Sequence, residues 1–203
     1  MWLSITDVCN LKCNDSLLDG YACDTVLEFL ALPEIKTLIN SFAFIGTSKI
    51  RISAGEPSLR KDLPDIIKAC SSAIGIVHVA PTSKGYKLEA DIQKWVNAGL
   101  DSLNISINSL DPRMFAAITG HHNLETILRG IDKALALGVK VKINAVLMKQ
   151  YNEQELQNFL TRLKATPVTL RLIELMQTCD KEATHWLQDG YTGATKNLAM
   201  MGG

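Results

Sequence analysis

No stretch of this chain approaches the roughly 20 consecutive apolar residues that a membrane-spanning helix needs, so no membrane partner is expected. The amino terminus, Met1-Trp2-Leu3-Ser4, lacks the basic segment and following apolar core of a secretory signal. Neither sign of charge is in excess: Lys plus Arg and Asp plus Glu are both 21, for a net charge of zero. A general nucleic-acid binder carries a clear basic surplus, so nucleic acid is not expected, although a local basic pocket for one nucleotide is. Cysteine is scarce and odd in number, with five residues at 9, 13, 23, 70 and 179. Without a signal that count points to a reduced, cytoplasmic setting, and the crowding at the front suggests a metal site before a disulfide.

What the chain does have is apolar material, 47% of 203 residues, enough for a sizeable core and too much for disorder. Short apolar runs at 3–5, 49–52, 76–80, 102–107, 139–147 and 168–173 read as strands. Between them, Leu63, Ile66, Ile67 and Cys70 recur at helical spacing, as do Leu124, Ile127, Leu128 and Ile131, and Leu156, Phe159, Leu160 and Leu163. Pro33, Asp62 and Asn152 mark helix starts, and Gly99 and Gly138 mark helix ends. Alternating strands and helices with nearly continuous apolar strands predict a parallel sheet covered by helices. A closed eight-stranded barrel takes about 250 residues. The expected fold is therefore α/β, an incomplete parallel (β/α)6 TIM-like barrel over 1–176, with a short polar tail over 177–203 that ends in Gly-Gly.

Parallel barrels bind ligands at the carboxyl ends of their strands, and polar residues of this chain gather at those positions. Cys9 and Cys13 follow the first run, Gly55-Glu56-Pro57 the second, and Thr82-Ser83-Lys84-Gly85 the third. Ser106, Asn108 and Ser109 end the fourth, Lys142 and Asn144 lie on the fifth, and Arg171, Glu174 and Met176 on or past the sixth. Residues 9–16 read C-x3-C-x2-S. Three thiolates at this spacing would hold three irons of a four-iron cluster and leave the fourth open; here Ser16 takes the third place.

With these motifs in place, the chain resembles the radical S-adenosylmethionine superfamily, and within it the GTP 3′,8-cyclase family of molybdenum-cofactor biosynthesis. The matching stretches are 3–10 (LSITDVCN), 50–62 (IRISAGEPSLRKD), 104–111 (NISINSLD), 117–120 (AITG), 141–148 (VKINAVLM), 170–178 (LRLIELMQT) and 192–203 (TGATKNLAMMGG). The resemblance implies a 4Fe-4S cluster on Cys9, Cys13 and the third-cysteine position, now Ser16, with S-adenosylmethionine on its open iron. It implies a 5′-deoxyadenosyl radical that starts cyclisation of GTP. It assigns S-adenosylmethionine contacts to Gly55, Ser106 and Met176, GTP contacts to Arg51, Thr82 and Lys142, and a terminal pair entering the active site to Gly202 and Gly203.

Five departures accompany the resemblance. Ser16 replaces a cluster cysteine, Asp15 a tyrosine that contacts S-adenosylmethionine, Trp2 a nucleotide-binding arginine, and Ala54 the first glycine of a Gly-Gly-Glu-Pro turn. The fifth is the family's second cluster segment, whose ligands are missing between Thr178 and Glu182, so the chain reads as internally truncated. The expected function is accordingly an impaired GTP 3′,8-cyclase. The alternative is a non-catalytic relative that binds GTP or S-adenosylmethionine, or a relic. A barrel without the missing segment would expose apolar surface, which predicts self-association.

Other residues have plainer readings beside these. Arg51, Lys142 and Arg171 are also the set that would form a buried ion network with Glu56 and Glu174, and Met176 could equally line the core. Cys70 belongs to an apolar helix face. Cys23 is a free thiol or a substitute cluster ligand, and Cys179 with His185 is a free pair or a zinc site. His78 reads as a satisfied core histidine, and His121 and His122 as solvated.

Overall fold

The computed structural model describes residues 1–10, 29–53, 55–147, 155–164 and 166–174. Strands and helices alternate in chain order: β1 (Trp2–Ser4), α1 (Leu32–Phe44), β2 (Lys49–Ser53), a 3-10 turn (Pro57–Leu59), α2 (Leu63–Ser72), β3 (His78–Ser83), α3 (Leu88–Asn97) and β4 (Ser102–Ser106). Then come α4 (Pro112–Thr119), α5 (Leu124–Ala136), β5 (Lys140–Leu147), α6 (Glu155–Leu163) and β6 (Val168–Glu174). The six strands form one sheet in the order β1-β2-β3-β4-β5-β6. This unbroken sequential order is that of a β/α barrel with two free edges. A doubly wound sheet reverses its order at a switch point, so the expected α/β class and (β/α)6 topology are both present.

The described residues fall into two compact units, one drawn from 1–10, 29–106 and 125–142, the other from 107–124 and 143–174. In the first, β1 to β4 pair in parallel, with Trp2 beside Arg51, Arg51 beside Ala80, and Thr82 beside Asn104. Side chains alternate along each strand. One face therefore carries Leu3, Ile50, Ile52, Val79, Leu103 and Ile105, all buried. With Ile66, Ile67, Leu88, Ile92, Trp95 and Ile127 they make up the core.

Several elements differ from the sequence reading. The third strand starts at His78 rather than Ile76 and runs on to Ser83. Val77 is a lead-in whose side chain is exposed and whose N–H meets the Ser48 carbonyl at 2.8 Å. Pro81, which cannot donate to a ladder, sits inside this strand, and Thr82 and Ser83 belong to it rather than following it. Asp62 precedes α2 as expected, but its side chain does not cap the helix. His78 is half-buried rather than core, with Nε2 3.0 Å from the Ser102 hydroxyl. Helix α4 was not among the expected elements, although its ends carry ordinary signals: Asp111 caps the Arg113 and Met114 N–H groups, and Gly120 leaves the helix at φ 73°.

Candidate functional site

At the end of β2 the chain turns through Gly55 at φ 21° and passes very close to the strand-end residues of β1. A Cβ on Gly55 would run into the Val8 carbonyl oxygen and lie 2.8 Å from the Asp7 carbonyl carbon. The Glu56 N–H then donates to the Val8 carbonyl at 2.8 Å. A glycine is required here because no side chain fits between the two backbones.

The Glu56 carboxylate is fully buried and is used entirely by the chain. Oε1 accepts from the Ser83 hydroxyl at 2.7 Å and the Ser58 N–H at 3.1 Å, and Oε2 accepts from the Lys84 N–H at 2.6 Å. The Ser83 oxygen in turn accepts the Gly85 N–H at 2.9 Å. Glu56 thus ties the end of β2 to the end of β3. Among the described residues Glu56 forms no ion pair with Arg51, Lys142 or Arg171, and the Glu174 side chain of the expected network lies outside them. Among the described residues the ion pairs are Arg60–Asp62, Lys94–Asp91 and Arg129–Glu89.

The other face of the sheet is polar. Trp2, Arg51 and Ala80 share it by register, as do Thr82 and Asn104, and Ser106 follows two residues on. The Ile107 N–H donates to the Asn144 carbonyl at 2.9 Å, which aligns even-numbered residues of β5 with even-numbered residues of β4. Lys142 therefore continues the polar face, between buried Val141 and Ile143. Arg51, Thr82, Ser106 and Lys142 are all half-buried. Among the described residues their side chains make no hydrogen bond, and Arg51 rests its guanidinium 5.5 Å from the centre of the exposed Trp2 ring. Asn104 is buried and reaches the Pro81 carbonyl at 3.4 Å.

Cys9 is a half-buried free thiol one residue beyond Val8, and Cys70 is fully buried in the core as expected. Burial pushes the Cys70 thiol up to about 12. Arg171 is exposed, and His121 and His122 are half-buried and exposed. Cys13, Asp15, Ser16, Cys23, Ala54, Met176, Cys179, His185, Gly202 and Gly203, and the Glu174 side chain, lie outside the described residues. Two features escaped sequence reasoning: the complete use of Glu56 by the chain, and the role of Arg60. Arg60 forks onto Asp62 and also reaches the carbonyls of Ile5 and Leu30. An i, i+2 Arg-x-Asp spacing after a turn was the one available signal for it.

The sequential parallel sheet and the strand-end cysteine segment define a class, and comparison with known families agrees. The Radical SAM superfamily pattern matches residues 3–163, so the chain belongs to the radical SAM superfamily. Its fold is shared with Streptococcus suis SuiB bound to S-adenosylmethionine, at a TM-score of 0.74 and 17% identity over 98% of this chain and 45% of that one. More particularly, the chain is 51% identical to the GTP 3′,8-cyclase of Vibrio atlanticus over 87% of its own length and 54% of the relative's. It is 45% identical to that of Tolumonas auensis over 97% of its length and 62% of the relative's. The chain thus spans little more than half the length of the curated relatives it matches.

The superfamily implies a four-iron cluster and S-adenosylmethionine. The C-x3-C-x2-S segment offers two thiols and a hydroxyl. A serine oxygen is a harder and more basic donor than a thiolate. Among the described residues no group of three or more His, Cys, Asp or Glu gathers to supply a substitute. The motif itself thus supplies two of the three thiolates such a cluster takes, and Cys23, the candidate substitute, lies outside the described residues.

Proposed function

We propose that this chain is built on the GTP 3′,8-cyclase plan, with GTP as the ligand of Arg51, Thr82 and Lys142 and with its cyclising activity impaired. In this reading S-adenosylmethionine is contacted by Gly55, Ser106 and Met176, Gly202 and Gly203 enter the active site, and the protein works in the cytoplasm. The partial barrel extends to 176 and the tail begins at 177.

One observation carries the reading. Arg51, Thr82, Ser106 and Lys142 stand half-buried on one sheet face with no hydrogen-bond partner among the described residues. Half-buried polar groups that no described residue uses favour a polar ligand, and two cations among them suit a triphosphate. The names of the relatives support GTP as that ligand. The donor set of two thiols and a hydroxyl supports the impairment. Exposed Phe44, Ile45, Ile74 and Val77, before the amino ends of β2 and β3, support self-association. A monomer in gel filtration would contradict that part.

The test is anaerobic reconstitution with iron and sulfide, followed by reduction and assay of 5′-deoxyadenosine with and without GTP. Little cluster absorbance and little deoxyadenosine are expected, with iron binding recovered in Ser16→Cys/Asp15→Tyr. Full turnover by the unaltered chain would overturn the impairment. Absence of iron from the restored variant would overturn the placement of the site. GTP titration of the apo chain tests the ligand, and no binding would overturn it.

A further inference from the structure

We propose that Arg60 is a positioning residue: with Asp62 it clasps the two ends of the cysteine-bearing segment together, at Ile5 and Leu30, and so sets where Cys9 is presented beside the Gly55–Glu56 turn.

The geometry uses the guanidinium fork completely enough to explain why an arginine stands here. Nε donates to Asp62 Oδ1 at 2.8 Å and Nη2 to Oδ2 at 2.6 Å, a two-bond fork that fixes the plane of the group. That leaves Nη1 with two hydrogens. They go to the Ile5 carbonyl at 2.9 Å and the Leu30 carbonyl at 3.0 Å. Two acceptors on one nitrogen are held within about 6 Å of each other. Ile5 and Leu30 bracket Cys9, Cys13, Ser16 and Cys23, so this one side chain closes the base of the whole segment. A lysine has a single rotatable point charge and cannot hold a carboxylate and two carbonyls in fixed directions.

The clasp is largely sheltered, with the Arg60 side chain 14% exposed and that of Asp62 34%. The Arg60 hydrogen bonds hold the Asp62 carboxyl below its usual range, and Asp62 raises Arg60, so the pair stays charged across neutral pH. Further ties act on the same short stretch. Ile5 N–H donates to the Ser53 carbonyl at 3.3 Å, Val8 N–H to the Thr6 hydroxyl at 3.2 Å, and Glu56 N–H to the Val8 carbonyl at 2.8 Å. Residues 55–62 thus frame the entry to the cysteine segment at Val8 and its exit at Leu30. Holding together two backbone positions this far apart in sequence restrains the chain between them whatever its conformation.

What the presented cysteine is for rests on the proposed function; the clasp is tested without any ligand. The full reduced chain is treated with iodoacetamide under native conditions, and the rates at Cys9 and Cys70 are followed by mass spectrometry. Arg60→Ala and Arg60→Lys are expected to raise the Cys9 rate at least about five-fold, by local opening, while Cys70 stays as slow as in the parent. An unchanged Cys9 rate, or a parallel rise at Cys70, would overturn the proposal, since the second means general loosening. If Arg60→Ala does not fold, Asp62→Asn, which loosens the fork and keeps every Arg60 donor, is read by the same two rates. Failure of GTP to bind would count against the proposed function and leave these rates unaffected.

Discussion

Two groups of polar side chains belong to the strands β2 to β5 and the turns that follow them, and the chain treats them in opposite ways. Glu56 is fully buried, and both carboxylate oxygens are met by Ser58, Ser83 and Lys84. Arg51, Thr82, Ser106 and Lys142 are half-buried, and none hydrogen-bonds through its side chain to a described residue. A buried polar group must be satisfied or it destabilises the fold, so the first group is architecture. The second is not held by any described residue, as the proposed ligand role requires. Charge or family motif alone does not separate the two, since Glu56 and Arg51 both belong to stretches that resemble one family.

The largest effect expected to test this contrast is at Glu56. Glu56→Ala strands a buried hydroxyl and two N–H groups and should cost about 3–5 kcal/mol in urea unfolding. A loss below about 1 kcal/mol would place Glu56 with the ligand-facing group instead.

Lys142→Ala should do the reverse. Its unfolding free energy should stay within about 0.5 kcal/mol of the parent, while GTP affinity falls at least about ten-fold, equivalent to about 1.4 kcal/mol. Isothermal titration together with urea unfolding separates the two readouts, and lost stability with unchanged affinity would break the comparison.

The thiols extend it. Cys70 lies in the core with its pKa raised from 9.0 to about 12, while Cys9 is half-buried at the strand ends. A group with a raised folded pKa contributes stability fully below its unfolded value and loses it as pH rises toward the folded one. Burial of Cys70 should therefore steepen the loss of stability between about pH 9 and pH 12. Cys70→Ala should flatten that alkaline limb in pH-dependent unfolding, and an unchanged limb would contradict it.

The smallest effect is expected at Trp2. Its ring lies against Arg51 at the exposed edge of the sheet, where a cation–π contact contributes about 0.5–1 kcal/mol. Trp2→Ala should lower stability by no more than that and change GTP affinity less than Lys142→Ala does. A larger loss of affinity would move Trp2 into the binding group.

Much of this was legible in the sequence. The 3.6-residue recurrence of Leu63, Ile66, Ile67 and Cys70 names the buried face of α2, because burial of one stripe is what stabilises such a helix. The apolar runs give strands because a sheet covered by helices has little room for polar residues. The third strand outruns its apolar stretch, which ends at Ala80, because pairing with Ile52 and the Asn104 contact carry Pro81 and its successors into the sheet. Asp62 was read as a helix cap from its position, and the competing partner that claimed it, Arg60, needed the fold to bring its other donors to Ile5 and Leu30.

The amino-acid sequence by itself determined the superfamily, the α/β class, the order of strands and helices and the thiol-poor donor set, because these depend on residue type, spacing and periodicity along the chain. The tertiary structure decided which polar residues are held by other described residues and which are not. It also decided that Arg60 closes the cysteine segment and that Gly55 must be glycine. Each of these depends on contacts between residues far apart in sequence, Glu56 with Ser83, Arg60 with Ile5 and Gly55 with Val8, and no local pattern encodes such a distance.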